Sequence, residues 1–598
     1  MCGINGYVGT RGGAIEEMNS KTLHRGPDSS GIFQDSHITL GHNLLSIREV
    51  LEASKQPVTK PSSPWVLVFN GQLYNTAAMK EKLDKTYSEV ELDTTLLFGL
   101  IEKYGWNFIK HIHGMYAIGL YNKEEARLCM YRDPTGQKPL YYYAKGSEFI
   151  FSSEIKGILA HAHVDRSVNE ESVLLATMLG YIPGSGTLFS HIHKLNPSEV
   201  LLLDCKNIQI TKEYYHSDAR GYYGDKKPQE VFTNLVAEHL QSKQKVALNL
   251  SGGMDSSLLL HEMSQVGHEM HTYTNRFEAS DEKFNRDADL AKKLAKDYGA
   301  THTEITITKK LYLDNFIESY AAIEEPNYNI TVPTYLITAK QEGARGDKNR
   351  VILSGDGGDE VFAGYPHYWE IRRMEKLRRL VSSPIFNLIK NRRNGTSFDF
   401  SHAEDQWYFF RRMHDPILKH KVAYDRNLLS SITQPFMQNY GVKTDPVYQG
   451  MLMDRVLWLA GENFIRSDKI YMSQSVELRS PLAYHPFRQY FDELLSSSDY
   501  IEKSGNKKFL RNLYRGKLPE YITDRSDKTG WRSPLANWYD KTFQTLFLSI
   551  IEPMKKSNHI IDWERIARQI EEKEVWPGKH IHAYLSLAIL AQQYDIEL

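Results

Sequence analysis

At 598 residues the chain is longer than a single hydrophobic core serves, so two or more domains are expected. Its formal net charge of -1 gives no electrostatic reason to expect a nucleic acid or an acidic membrane surface as partner. No apolar run reaches membrane-spanning length, nothing at the start reads as a secretion signal, and Cys2, Cys129 and Cys205 are too scattered for a disulfide framework or a zinc site, so a cytoplasmic location is expected.

In chain order, Cys2-Gly3-Ile4-Asn5-Gly6-Tyr7-Val8-Gly9 reads as a short strand in glycine-rich surroundings. With Met1 removed, Cys2 carries both a thiol and an α-amino group of pKa about 7.7–8.0, which is able to act as base for its own thiol. A polar turn, His24-Arg25-Gly26-Pro27-Asp28-Ser29-Ser30-Gly31, follows. Val66 to Phe69 is an apolar strand that ends in Asn70-Gly71-Gln72. Asn-Gly suits a tight turn. The functional alternative is an oxyanion hole made from the Asn70 amide and the Gly71 N–H. The polar stretch Tyr214 to Lys227 is the candidate linker between domains of residues 1–210 and 211–598.

Val246 to Leu250 reads as a buried strand. It runs into Ser251-Gly252-Gly253-Met254-Asp255-Ser256-Ser257, after which Leu258 to Leu260 open a helix. Strand, glycine turn and helix start together hold phosphate through backbone N–H groups and the helix dipole. Asp255 suits such a place when Mg²⁺ lies between it and the phosphate. The plain alternative is a Ser/Asp helix cap. No Gly-Lys-Ser/Thr ending is present, so this is not a Walker loop.

Beyond it, strand-like runs (271–277, 301–308, 350–353) alternate with a helical one (286–298), which predicts a parallel sheet with helices on both faces. Ligands of such sheets sit at the carboxyl ends of the strands. A second glycine-rich loop, Ser354-Gly355-Asp356-Gly357-Gly358-Asp359-Glu360, lies at one of those ends. It is either an acidic solvated turn or a set of Mg²⁺ ligands. From residue 370 onward the chain reads as helical, and the basic run Arg372 to Arg393 reads as a solvated helix face.

Cys2-Gly3-Ile4, His24-Arg25-Gly26-Pro27-Asp28, Asn70-Gly71, Leu92-Asp93-Thr94-Thr95, Arg132 to Tyr141 and Ser152-Ser153-Glu154-Ile155-Lys156 resemble the glutaminase domain of class II glutamine amidotransferases. The resemblance implies an N-terminal-nucleophile hydrolase αββα sandwich. In it Cys2 attacks the glutamine amide, Asn70 and Gly71 stabilise the oxyanion, and Asp93 binds the glutamine α-ammonium. Two positions depart from the family. Leu45 stands where an Arg holds the glutamine carboxylate, with Arg48 the nearby substitute, and Gln72 replaces the Glu that follows Asn-Gly.

The two glycine-rich loops resemble the ATP-pyrophosphatase domain of glutamine-hydrolysing asparagine synthetases. So do Ser467 to Met472, Val476-Glu477-Leu478-Arg479-Ser480-Pro481, Lys507 to Arg511 and Arg525 to Pro534. The implied fold class is α/β and α+β in two domains: the sandwich, then a doubly wound parallel α/β sheet with a helical C-terminal part. The resemblance implies that Ser251, Gly252, Gly253, Asp255 and Ser256 bind the pyrophosphate of ATP. Leu250, Asn275, Ser354 and Gly355 would surround adenosine, and Asp255 and Asp359 would hold Mg²⁺. Glu360 would assist formation of an acyl-adenylate, and Lys469 aligns with a lysine that neutralises charge there. The partners implied are glutamine, ATP and a small carboxylic acid, aspartate by default, with no nucleic acid and no membrane; a homodimer is compatible. Asn329 points weakly to an acid other than aspartate, such as a sugar acid. A non-catalytic binding protein on the same scaffold is the remaining alternative.

Overall fold

The computed structural model describes all residues except 1, 10–13, 48–53, 89–91, 216–218, 279–281, 344–349, 382–383, 389–397, 401, 414–425, 440–444, 502–505, 526–532, 557–559 and 573–577. In its N-terminal half the strands are β1 (Cys2–Val8), β2 (Ser29–Gln34), β3 (Ile38–Leu44), β4 (Val58–Thr59), β5 (Trp65–Leu73), β6 (Gly114–Asn122), β7 (Arg127–Arg132), β8 (Tyr141–Lys145), β9 (Glu148–Ser152), β10 (Ile192–Lys194), β11 (Glu199–Asp204) and β12 (Gln209–Tyr214). They form two six-stranded sheets, ordered β10-β8-β9-β1-β3-β2 and β12-β11-β7-β6-β5-β4.

The two-residue period of a strand decides how these sheets stack. Val66 and Val68 of β5 point into a core shared with Ile4, Ile38 and Leu40 of the other sheet. Leu67 and Phe69 point the other way, onto Leu96 and Leu100 of the helix Asp93–Tyr104. On the far side of the first sheet Tyr7 and Ile150 meet Ile15 and Met18 of the helix Ala14–Lys21. Helix, sheet, sheet, helix is the αββα sandwich.

One local expectation changes. Asn70-Gly71 is not a turn: β5 continues through it, with Asn70 opposite Ala117 and Gly71 opposite Tyr116. Glycine is required at 71 because a Cβ there would come within 2.2 Å of the Met115 carbonyl oxygen.

The C-terminal half is built on a parallel sheet of β13 (Val246–Asn249), β14 (His271–Phe277), β15 (Thr301–Ile307), β16 (Val351–Leu353) and β17 (Glu477–Arg479), ordered β15-β14-β13-β16-β17. Both faces are buried: Val246 and Leu248 enter one core, and Ala247 between them enters another. The chain leaves β13 toward β14 and later returns to β13's other side with β16. The strand order therefore reverses between β13 and β16, the place where open α/β sheets bind ligands. The fifth strand, Glu477–Arg479, was not apparent in the sequence. The strand β12 runs to Tyr214, past the expected boundary at 210, and the next helix starts at Pro228. A helical layer follows, including a π-helical stretch, Asp454–Asn463, that continues into the helix Phe464–Met472. No helix among the described residues is long and apolar enough to cross a membrane.

Candidate functional sites

Cys2 starts β1, opposite Leu44 of β3, and is 5% exposed. Its backbone N–H donates to Asn70 Oδ1 at 3.0 Å. That bond fixes the Asn70 amide, so Nδ2 faces the other way. Asn70 Nδ2 is buried and has no hydrogen-bond partner among the described residues. An orphaned buried donor costs roughly 1–3 kcal/mol unless a ligand uses it. Beside a cysteine it suits the oxyanion of a tetrahedral intermediate. Burial pushes the Cys2 thiol above its ordinary value, and a backbone hydrogen bond at Leu45 offsets part of the rise. The thiol therefore needs a base to become a nucleophile, a role open to its own α-amino group.

The remaining glutaminase positions divide. Asp93 is buried at the start of its helix and accepts hydrogen bonds from the N–H groups of Thr94 (2.9 Å) and Leu73 (3.2 Å). Gln72 is held within the protein: Nε2 donates to the Leu73 carbonyl at 3.0 Å, and Oε1 accepts from Arg479 of the C-terminal half at 3.3 Å. Arg48 lies outside the described residues. Leu45 is 2% exposed and shares an apolar core with Ile47, Tyr74 and Met115.

The first glycine-rich loop joins β13 to the helix Met254–Gln265. Gly252 is left-handed (φ +67°), and a Cβ there would meet the Asp287 carbonyl oxygen at 2.6 Å. Ser256 Oγ ties the turn together, accepting from Ser251 N at 3.1 Å and lying 3.0 Å from Ser251 Oγ. Leu250 is buried beneath the loop. On β14, Asn275 accepts from Thr338 Oγ1 at 2.8 Å. The second loop leaves β16: Ser354 N donates to the Arg479 carbonyl, and Ser354 Oγ donates to Asp356 at 2.7 Å. The loops touch. A Cβ on Gly358 would lie 2.6 Å from Asp255 Oδ1, and one on Gly355 would lie 3.0 Å from the Asp255 Cβ.

Where Mg²⁺ was expected, Asp255 and Asp359 converge on one cation, the Lys507 ammonium. Two carboxylates in contact with a single cationic centre are an oxygen donor set that fits a hard divalent ion completed by phosphate and water. Lys507 is itself buried, held in a left-handed conformation (φ +59°) and kept charged by both carboxylates, which outweigh its burial. Strain of this kind persists where the surroundings demand it. Glu360 is buried beside these groups; burial, then the Asp359 charge, push it up to about 8. Its side chain accepts a hydrogen bond from Tyr365.

Lys469 pairs with Glu324 in this structure. It does not join the loops. It is fully buried at the seam between the halves, with Nζ 2.7 Å from Glu324 and 4.4 Å above the Tyr141 ring. Lys507, present in the sequence motif but given no role there, is the lysine that contacts Asp255 and Asp359. Arg525, also unassigned, donates to the Gly252 carbonyl at 3.4 Å and pairs with Asp287. Asn329 is engaged locally. Its Oδ1 accepts from Thr331 N (3.1 Å) and Thr331 Oγ1 (2.7 Å), an Asx turn that leads into the helix Val332–Gly343.

Residues 1–215 match the glutamine amidotransferase domain family, and residues 227–594 match the asparagine synthase family. A putative glutamine-hydrolyzing asparagine synthetase 2 of Methanocaldococcus jannaschii is 33% identical over 414 residues, covering 64% of this chain and 78% of the relative. Glutamine-hydrolyzing asparagine synthetase 1 of Bacillus subtilis is 26% identical over 571 residues, covering 91% and 88%. Asparagine synthetase B of Escherichia coli is 27% identical over 411 residues, covering 63% and 67%.

Proposed function

Since the chain belongs to the asparagine synthase family and carries a glutamine amidotransferase domain, we propose that it amidates a carboxylic acid, L-aspartate by default, through an acyl-adenylate. Glutamine is hydrolysed at Cys2. The thiolate attacks the side-chain carbonyl, and Asn70 Nδ2, with the Gly71 N–H, stabilises the oxyanion. Ammonia leaves, and water releases glutamate from the thioester. Asp93 holds the α-ammonium of glutamine.

At the loops, the acceptor carboxylate attacks the α-phosphorus of ATP and pyrophosphate departs. Ammonia then attacks the acyl carbon and AMP leaves. Ser251, Gly252, Gly253 and Ser256 hold the pyrophosphate; Leu250, Asn275, Ser354 and Gly355 lie around adenosine. Asp255 and Asp359 would hold Mg²⁺, which when bound offsets phosphate charge. Lys507 supplies a fixed positive charge at the same place, and Glu360 assists at the adenylate. Ammonia crosses the seam between the halves, where a small cavity is lined by Pro134, Thr135 and Pro197 of the N-terminal half and by Glu360, Arg455 and Ala483 of the C-terminal half.

The observation that carries this reading is the convergence of Asp255 and Asp359, from loops of different strands, on one buried cation at the point where strand order reverses. The test is pyrophosphate release from ATP with glutamine, screened over aspartate, other amino acids and sugar acids. Cys2→Ala should abolish glutamine-dependent release and spare ammonium-dependent release. Equal loss with both nitrogen sources would refute separate sites.

A further inference from the structure

Six ionic groups at the seam between the halves close into a ring that the reaction above does not use. Arg25 lies 2.7 Å from Asp468 and 2.9 Å from Glu154. Glu154 lies 2.6 Å from Lys156, which is 3.8 Å from Glu324. Glu324 lies 2.7 Å from Lys469, the chain neighbour of Asp468. Arg25, Glu154 and Lys156 belong to the N-terminal half; the other three belong to the C-terminal half. All but Lys156 are nearly or fully buried. Burial alone would raise Glu154, but the cations around it hold it well below the usual carboxylate range.

Stability is a weak reason for such a ring, because desolvation offsets most of what buried ion pairs gain. Glu324 adds a second sign of constraint. It is a non-glycine residue in the left-handed region (φ +61°), 1% exposed. That backbone aims one carboxylate across the seam, where it also accepts from Ile155 N at 2.9 Å and Lys156 N at 3.0 Å.

The ring touches both candidate sites. Arg25 Nε donates to the Cys2 carbonyl at 3.1 Å. Asp468 and Lys469 ride on the helix Phe464–Met472. Asn463, just before that helix, donates to Asp356 of the second loop at 3.3 Å and accepts from Ser467 Oγ at 3.0 Å. Asn463 ends the π-helical stretch, a geometry frequent at functional sites.

We propose that Glu324 is a positioning residue that couples the two sites: by holding Lys469 against the Ile155–Lys156 backbone it makes the start of β1, which carries Cys2, follow the nucleotide loops, so that filling the latter accelerates glutamine hydrolysis. This rests on the two-site reading above. A ligand against Ser354 to Asp356 bears on Asn463; the helix carries Asp468 and Lys469 with it; Arg25 follows Asp468 and shifts the Cys2 backbone.

The test is glutamate release by the full chain, with and without ATP and MgCl₂. Wild type should release glutamate about tenfold faster with nucleotide, within the usual range of coupling between sites. Glu324→Gln keeps one acceptor oxygen for the Ile155 and Lys156 N–H groups and removes the charge facing Lys469. Its nucleotide-free rate should persist while the ratio falls toward one. Lys469→Met should do the same, and the double variant should lose nothing further, as expected of one interacting pair. The double variant removes both charges together, a change buried pairs tolerate, so it carries the measurement even where a single variant folds poorly. A wild-type ratio of one overturns the proposal. So does a Glu324→Gln variant in which both rates fall in parallel and the ratio survives, the mark of a merely structural role. Absence of pyrophosphate release in wild type would sink the two-site reading itself, whereas an unchanged ratio in Glu324→Gln alongside normal release would sink only the coupling.

Discussion

Replacing Lys507 by Met tests the shared cation site. The substitution keeps most of the side-chain volume and deletes one ammonium that two carboxylates contact. Asp255 and Asp359 then lose the ammonium they share, and Lys507 was only 3% exposed, so water does not readily replace it. Removing one member of a buried ionic group costs roughly 3–5 kcal/mol, because the remaining charge stays buried. In a domain of this size that corresponds to a fall in melting temperature of about 5 °C or more. The loss should be largest in EDTA. Millimolar MgCl₂ should restore a good part of it, since the same two oxygens then bind a divalent cation, and wild type should respond less. The assay is thermal unfolding of both proteins in EDTA and in MgCl₂. Equal magnesium responses, or a variant as stable as wild type in EDTA, would refute the shared site. Pyrophosphate release by the variant should remain depressed even with magnesium, because the fixed charge beside the adenylate is gone.

Asn70→Ala should lower the glutaminase kcat by about 10²–10³, the usual loss of one oxyanion donor, while ammonium-dependent pyrophosphate release persists; a rise in KM alone would remove Asn70 from that role. Glu238 is raised from 4.5 to about 7 by burial, although hydrogen bonds from Tyr222 and Tyr223 oppose the rise. The folded state therefore binds this proton more tightly than the unfolded state. Stability should be greatest below the unfolded value, fall as pH rises from 4.5 toward 7, and level off above, by up to about 3 kcal/mol. Glu238→Gln should flatten that part of the profile, with a gain over wild type at pH 8 and none at pH 4.5; denaturation midpoints across the range decide it.

Much of the architecture was legible in the sequence because it is encoded in short windows. Alternation at Val66–Phe69 set the faces of β5, and the apolar run Val246–Leu248 announced a strand buried on both sides. The glycines and hydroxyls around Ser251–Ser257 marked a phosphate-type loop for the same local reason. A two-residue period, a left-handed glycine or a helix start is a property of neighbouring residues.

What the sequence could not determine by itself is which distant side chains meet. Lys469 and Lys507 both stood in motifs, and a window around either gives a basic residue on a helix. Only the packing of the C-terminal helices brings Lys507 between two loops that follow different strands and sends Lys469 to Glu324 at the seam. Asn70-Gly71 has the composition of a turn, yet pairing with Ala117 and Tyr116 holds it extended, because ladder hydrogen bonds outweigh a local preference. Asn329 could have faced an acceptor until its neighbour Thr331 claimed its side chain. Charge–charge partnerships depend on distance in space, and burial, which removes the competing water, is what makes those partnerships strong. Neither quantity exists until the tertiary structure has formed.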